Sequence, residues 1–288
     1  MKTILVLTDF SAAALSAATY VAELSRDLKA ERIVLYHSSN LDNPEMVMLT
    51  DVVVLVPKTD SVMEQEIYRK LEDLKSQVQA IAGDNIVIET VTNALPLLSG
   101  IKEILNQENV DLVAAALSGA GTAGKNSVGK QTASLIKNRN FPLLVIPSNS
   151  NYRRINISVL ACDLRDIVNT LPADHITSFI NETGSKLLVV NVERGESLGA
   201  AGYLKEEMAL HKLLDGLKPE FHYLNDGDAI KAIIEFAEIR NANLIIAVPK
   251  ARGFLENLFH ESASKKIAIN TPLPLLLFHK RPASANAS

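Results

Sequence analysis

Asp111-Leu-Val-Ala-Ala-Ala-Leu117, Ser118-Gly-Ala-Gly-Thr-Ala-Gly-Lys-Asn-Ser-Val-Gly-Lys130, Gln131 to Asn140 and Leu143-Leu-Val-Ile-Pro147 follow one another in the chain. In order they read as an apolar strand, a glycine-rich loop, an amphipathic helix and a second apolar strand. Glycines let a backbone approach a ligand closely and adopt φ > 0. A loop of this kind, leading from a strand into a helix N-terminus, aims several N–H groups at one point, which suits a phosphate. Nucleotide binding is therefore the first functional expectation. The loop alone does not say whether anything is hydrolysed.

Working outward, the same strand–helix alternation runs through all 288 residues, and it runs twice. Lys2-Thr-Ile-Leu-Val-Leu-Thr-Asp9 is similar to Asn156-Ile-Ser-Val-Leu-Ala-Cys-Asp163. Phe141-Pro-Leu-Leu-Val-Ile-Pro147 is similar to Pro272-Leu-Pro-Leu-Leu-Leu-Phe278. In the first half the pattern predicts strands near 3–8, 32–38, 86–91, 111–117 and 143–147, and helices near 11–28, 60–82, 98–108 and 128–139. In the second half it predicts strands near 155–161, 186–192, 219–224, 243–248 and 274–279, and helices near 167–182, 202–216, 228–239 and 260–269. Short apolar runs alternating with helical periods indicate a parallel sheet with helices on both faces. The expected fold is α/β: two tandem Rossmann-like domains, each a five-stranded parallel sheet. The first spans 1–148 and the second 152–280, joined by the polar Ser148-Asn-Ser-Asn-Tyr-Arg-Arg154. The tail 281–288 has little to bury and is expected to be flexible. Asn40 to Asp60 is an excursion containing Asp51-Val-Val-Val-Leu-Val-Pro57. It reads as a surface feature with one small apolar anchor, the alternatives being a lid or a contact with the other half.

Composition narrows the function classes. Apolar residues make up 47% and charged residues 22%, as in a globular protein with a sizeable core. A net charge of -4 argues against a nucleic-acid surface. No apolar run approaches the roughly 20 residues needed to span a bilayer. The apolar stretch at the start is too short for a signal peptide. The single cysteine, Cys162, forbids an intrachain disulfide and fits a reducing cytoplasm, the expected location.

Thr8-Asp-Phe-Ser11 and Leu35-Tyr-His-Ser38, each closing a strand, resemble the universal stress protein family. That family carries a loop signature of Gly, two residues, Gly, nine residues, then Gly-Ser or Gly-Thr. Here those positions are Ala116, Gly119 and Gly129-Lys130, with nine residues from Ala120 to Val128 between the last two glycines. The resemblance covers the chain as two copies. It implies a stress-response protein that binds ATP or a related adenine nucleotide, with or without Mg²⁺, at the carboxyl ends of the strands. Thr8, Asp9 and the backbone near Ser38 would lie at the adenine and ribose end. Ala116, Gly119, Gly121, Lys125, Gly129 and Lys130 would lie along the ribose and phosphates. Two positions depart from the pattern. Ala116 puts a methyl where the family has glycine, and Lys130 exchanges a hydroxyl for a cation. In the second half the three glycines become Val248, Ala251 and Glu261. Pro249 removes a donor, Glu261 would repel phosphate, and Phe254, Leu255, Leu258 and Phe259 read as a plug. That half is expected to be a degenerate copy.

Other constellations carry less. Gly119 to Asn126 nearly spells the P-loop pattern, but Asn126 has no hydroxyl for Mg²⁺. Asp9 and Asp163 can each be a helix cap or turn residue instead of a ligand. His260-Glu261-Ser262 are adjacent on a helix start and point apart, so no triad is expected. No histidine has metal-ligand spacing. His37 reads as packed and hydrogen-bonded, and Cys162 as a small buried side chain. The expected protein is a ligand-linked sensing module and not a dedicated enzyme. Its rivals are an interaction scaffold without nucleotide and a slow ATPase. Expected partners are the nucleotide, the other half through the last strands, and a homo-oligomer or a protein partner, with no nucleic acid and no membrane.

Overall fold

The structure is a computed structural model that describes residues 1–39, 44–49, 52–57, 61–117, 135–136, 140–148, 150–193, 200–226, 228–248 and 271–279, with backbone alone at 44–49 and 52–57. The first half contributes β1 (Thr3–Leu7), α1 (Ala12–Asp27), β2 (Arg32–Ser38), β3 (Pro44–Leu49), β4 (Val52–Pro57) and α2 (Ser61–Ala82). It continues through β5 (Val87–Asn93), α3 (Leu97–Gln107), β6 (Leu112–Leu117) and β7 (Leu143–Pro147). The second half contributes β8 (Ile157–Ala161), α4 (Ile167–Thr170), α5 (Ala173–Thr183), β9 (Lys186–Glu193) and α6 (Ala200–Leu214). It ends with β10 (Glu220–Asn225), α7 (Ala229–Ile239), β11 (Leu244–Ala247) and β12 (Leu275–Leu277).

Ten of these strands form one sheet in the order β10-β9-β8-β11-β12-β7-β6-β1-β2-β5. Each half supplies five parallel strands. The joint between the halves is antiparallel, with Leu275 opposite Val145, Leu276 opposite Leu144 and Leu277 opposite Leu143. An apolar edge strand invites pairing, and here each half covers the edge of the other.

Strand periodicity sends alternate residues to two cores, one on each face of the sheet. Ile4, Val6 and Ala116 face a cluster built with α1, α2, α5 and α6. Leu5, Leu7 and Val113 face a second cluster with α3, α7 and the helical residues Leu135 and Ile136. The linker is packed and does not act as a loose tether. Ser150 donates to the Pro272 carbonyl at 3.0 Å, and Tyr152 sets its ring edge-on to Tyr20 with centroids 5.0 Å apart.

Two sequence expectations are revised. The helix expected over 167–182 is broken into α4 and α5. Pro172 disfavours helical backbone at the residue before it, and Leu171 is extended at φ -81, ψ 118. The excursion is a two-stranded antiparallel ribbon, with Leu49 opposite Val52 and Pro44 opposite Pro57, where the sequence reading had one apolar anchor. The helices expected near 128–139 and 260–269 fall outside the described residues apart from 135–136, as does the tail.

Candidate functional site

β1 and β6 lie side by side and parallel, and their chains then leave in different directions. The chain after β1 continues into α1, against one face. The chain after β6 passes through Leu135 and Ile136 on the other face before returning as β7. Such a switch point leaves a crevice outside the carboxyl ends of the strands, where ligands of open α/β sheets bind.

Short polar side chains shape its rim. The Thr8 hydroxyl accepts from the Phe10 N–H at 3.0 Å, Asp9 Oδ1 from the Ser11 N–H at 3.0 Å, and Ser11 Oγ from the Ala14 N–H at 3.2 Å. Asx and hydroxyl turns of this kind bend a chain without a glycine. Ser11 is the N-cap of α1, so Asp9 acts as the turn residue before it. Phe10 is left-handed at φ 61, an uncommon conformation for a bulky residue. Its ring rests against His37 with centroids 4.5 Å apart, and Lys70 Nζ from α2 stands 5.7 Å from it. Thr8 is buried, whereas Asp9, Phe10 and Ser11 are partly exposed.

The end of β2 is tied on both sides. The Thr8 N–H donates to the Tyr36 carbonyl at 2.9 Å, and His37 Nδ1 meets the Thr8 carbonyl at 2.9 Å. Ser38 Oγ donates to the Leu95 carbonyl at 2.6 Å and Ser39 Oγ to the Asn93 carbonyl at 3.0 Å. The Tyr36 hydroxyl donates to Asn93 Oδ1 at 2.8 Å, and burial pushes its pKa up to about 12, so it stays neutral. A Cβ on Gly100 of α3 would stand 1.8 Å from that hydroxyl. Glycine is therefore required for Tyr36 to reach Asn93, a pairing with no signal in the local sequence pattern.

Of the residues expected in the site, Thr8, Asp9, Ser38 and Ala116 are described. β1 is the strand between β2 and β6, which brings all four to its neighbourhood. The Ser38 hydroxyl is used within the fold, so its backbone is the part that can face a ligand. The Ala116 methyl belongs to the core cluster on the α1 face. Gly119, Gly121, Lys125, Gly129 and Lys130 lie outside the described residues, as do Pro249, Ala251, Phe254, Leu255, Leu258, Phe259 and Glu261 of the second half. Among the described residues no group of three or more His, Cys, Asp and Glu could hold a metal ion, and no helix is long and apolar enough to cross a membrane.

The second half repeats the backbone frame with other side chains. The Cys162 N–H donates to the Val190 carbonyl at 2.9 Å, and Asn191 Nδ2 donates to the Cys162 carbonyl at 3.0 Å. These are the places of Thr8, Tyr36 and His37. Asp163 stands where Asp9 does, but it is buried and caps no helix, since α4 begins after Asp166 and α5 after Pro172. Leu164, Ile167 and Leu171 then enter the core. Glu206 Oε2 of α6 accepts from the Ile167 N–H at 2.7 Å and holds α4 in place.

This doubled frame agrees with the comparisons. The sequence model described as the Universal stress protein family matches residues 1–147. The chain belongs to the universal stress protein family. No curated protein shows significant similarity to it. Solved structures share its architecture end to end. A universal stress protein from Archaeoglobus fulgidus DSM 4304 is 16% identical, over 96% of this chain and 96% of its own, with a TM-score of 0.65. A functionally unknown protein from Pseudomonas aeruginosa PAO1 is 12% identical, over 97% of this chain and 93% of its own, with a TM-score of 0.55. The cytoplasmic domain of a prokaryotic cation chloride cotransporter is 9% identical, over 96% and 94%, with a TM-score of 0.54. At these identities the likeness is one of fold.

Proposed function

We propose that this universal stress protein is a stress-response sensing module that binds ATP or a related adenine nucleotide in its first half, residues 1–148. On this reading residues 152–280 are a degenerate copy that binds none. The observation that carries the proposal is the contrast between the two strand ends. After β1 the rim is short and part-open at Asp9, Phe10 and Ser11. After β8 the chain carries Asp163, Leu164 and Ile167 inward as buried side chains. The retained spacing of Gly119 and Gly129 adds support from the sequence.

In this account Asp9 and the backbone near Thr8 and Ser38 meet the base and ribose. The loop backbone, with Gly119, Gly121 and Gly129, meets the phosphates, helped by Lys125 or Lys130, and Ala116 underlies the crevice. Mg²⁺ would travel with the phosphates and not in a P-loop, because Asn126 offers no hydroxyl. The residues suit binding more than turnover, and the protein acts in the cytoplasm by changing its contacts when the ligand orders the loop. Thermal-shift assays with ATP, ADP, AMP and buffer alone test the reading. Adenine nucleotides should raise Tm, the stabilisation growing with the logarithm of one plus ligand over Kd. An unchanged Tm throughout favours a nucleotide-free scaffold, and sustained phosphate release from ATP favours a slow ATPase.

A further inference from the structure

Resting on that reading of the first half, we propose that Tyr36, Ser38 and Asn93 form a polar brace. It positions the strand-end backbone at Ser38 for the base side of the site. The brace ties the end of β2 to the segment that joins β5 to α3. Ser38 lies opposite Asn93 in the parallel pairing of the two strands. Asn93 Oδ1 accepts twice, from the Tyr36 hydroxyl at 2.8 Å and from the Leu95 N–H at 3.2 Å. The Leu95 carbonyl accepts from Ser38 Oγ at 2.6 Å, which closes a ring of contacts from Tyr36 through Asn93 and Leu95 to Ser38. The Asn93 carbonyl accepts from Ser39 Oγ at 3.0 Å, so the backbone at 38 and 39 is held from one side by side-chain bonds.

The second half closes the same place without such a brace. Val190 matches Tyr36, because each carbonyl accepts from the residue just after the first strand, Cys162 or Thr8. Two residues on, Val192 matches Ser38. Leu224, opposite Val192, then matches Asn93, opposite Ser38. Val190 and Val192 are buried in the apolar cluster on that face, and Leu224 packs against it. Three polar positions of one half are therefore three apolar positions of the other.

Folding alone does not call for the polar version. Tyr36 and Ser38 are buried, and a buried hydroxyl costs free energy unless it finds a partner. Apolar side chains close the equivalent strand ends without that cost. The brace occurs in the half whose rim is part-open at Asp9, Phe10 and Ser11. It also joins that rim directly, since the Tyr36 carbonyl accepts from the Thr8 N–H at 2.9 Å, one residue before Asp9. A strand end fixed before the ligand arrives has less ordering left to lose on binding. Tyr36 and Asn93 are in this sense positioning residues that act through the backbone at Ser38.

The test uses the full chain with Tyr36→Phe, Asn93→Ala and Asn93→Asp. Amide hydrogen exchange is measured without ligand, and titration calorimetry is run with adenosine and with tripolyphosphate. Tyr36→Phe removes one hydroxyl and leaves Asn93 Oδ1 as the acceptor for the Leu95 N–H, so faster exchange at Leu95 reports the brace itself. Exchange at Ser38, Ser39 and Leu95 should rise about three- to tenfold, the net effect of one lost hydrogen bond, with β7 and α5 unchanged. Adenosine affinity should fall by a similar factor and tripolyphosphate affinity should hold. Asn93→Ala should act in the same direction. Asn93→Asp keeps an oxygen for both donors and should bring both readings back towards native. Native exchange in Tyr36→Phe overturns the proposal, as does exchange raised equally throughout the chain. Unchanged adenosine affinity beside a loosened strand end also overturns it. A native chain that binds neither adenosine nor ATP overturns the nucleotide reading and this role together, whereas the other results leave that reading standing.

Discussion

The two halves pass the same point in the fold in different ways. Each ends its first strand with a backbone N–H given to the second strand and an aspartate one residue later. Thr8 and Asp9 then turn directly into α1, through hydroxyl and carboxylate contacts to Phe10 and Ser11. Cys162 and Asp163 lead instead into a stretch that alternates buried Leu164 and Ile167 with exposed Arg165, Asp166 and Val168, and that reaches α5 only after α4 and Pro172. His37 and Asn191 hold the same carbonyl from the second strand with different groups. The comparison teaches that the hydrogen-bonded frame of a repeat is kept while the side chains and helix starts around it change. Frame contacts join the first two strands of each half, whereas the chain beyond the strand ends can take a different course without disturbing the sheet.

The largest effect expected from breaking the comparison comes from separating the halves. A chain ending near Ser148 leaves β7 paired with β6 alone, with Leu143 to Ile146 at an open edge. Light scattering should show it dimerising or aggregating as concentration rises. A soluble monomer at every concentration would mean that the second half is not needed to cover that edge.

A second test concerns the packing of the second strand on the third helix. The first half pairs large with small, Tyr36 with Gly100, and the second half has Val190 and Ala232 at the matching places of its elements. Gly100→Ala should cost about 1–3 kcal/mol by overpacking, read as a lower denaturation midpoint at constant m. Combining it with Tyr36→Val copies the other half and should recover part of that loss. No recovery would show that the two pairs are not equivalent.

Most of the fold was legible because buried parallel strands read as short apolar runs, and β1, β2, β6 and β7 are such runs. The antiparallel joint rests on the same signal, in Leu143 to Ile146 and Leu275 to Leu277. The break at Pro172 was also written in the sequence, and the helical period around it masked the local rule. The rim was less legible. The sequence places Asp9 and the backbone near Ser38 at the ligand and allows Asp9 to be a turn residue; which side-chain bonds they make, one Asp9 oxygen to the Ser11 N–H and the Ser38 hydroxyl to Leu95, is not written in it. Such assignments depend on which long-range partner arrives, and strand periodicity carries no information about that. The fit of Tyr36 to Gly100 is hidden for the same reason, since the two residues share neither an element nor a local motif.

A smaller effect separates the caps. Ser11→Ala removes the side-chain bond to the Ala14 N–H and should cost about 1 kcal/mol, measured by urea unfolding. Pro172 makes no side-chain cap at α5, so Pro172→Ala removes no such bond. A loss at Ser11 below about 0.3 kcal/mol would mean that the turn from β1 into α1 is held by Thr8 and Asp9 without the cap.

The most direct test of the account is isothermal titration of the full chain with ATP and Mg²⁺, counting sites. Close to one site per chain is predicted. It should be lost in Gly119→Val, where a side chain blocks the backbone's approach to phosphate, and kept in Ala251→Val at the matching place of the second half. Two equivalent sites per chain, or a single site that survives Gly119→Val and disappears in Ala251→Val, would contradict it.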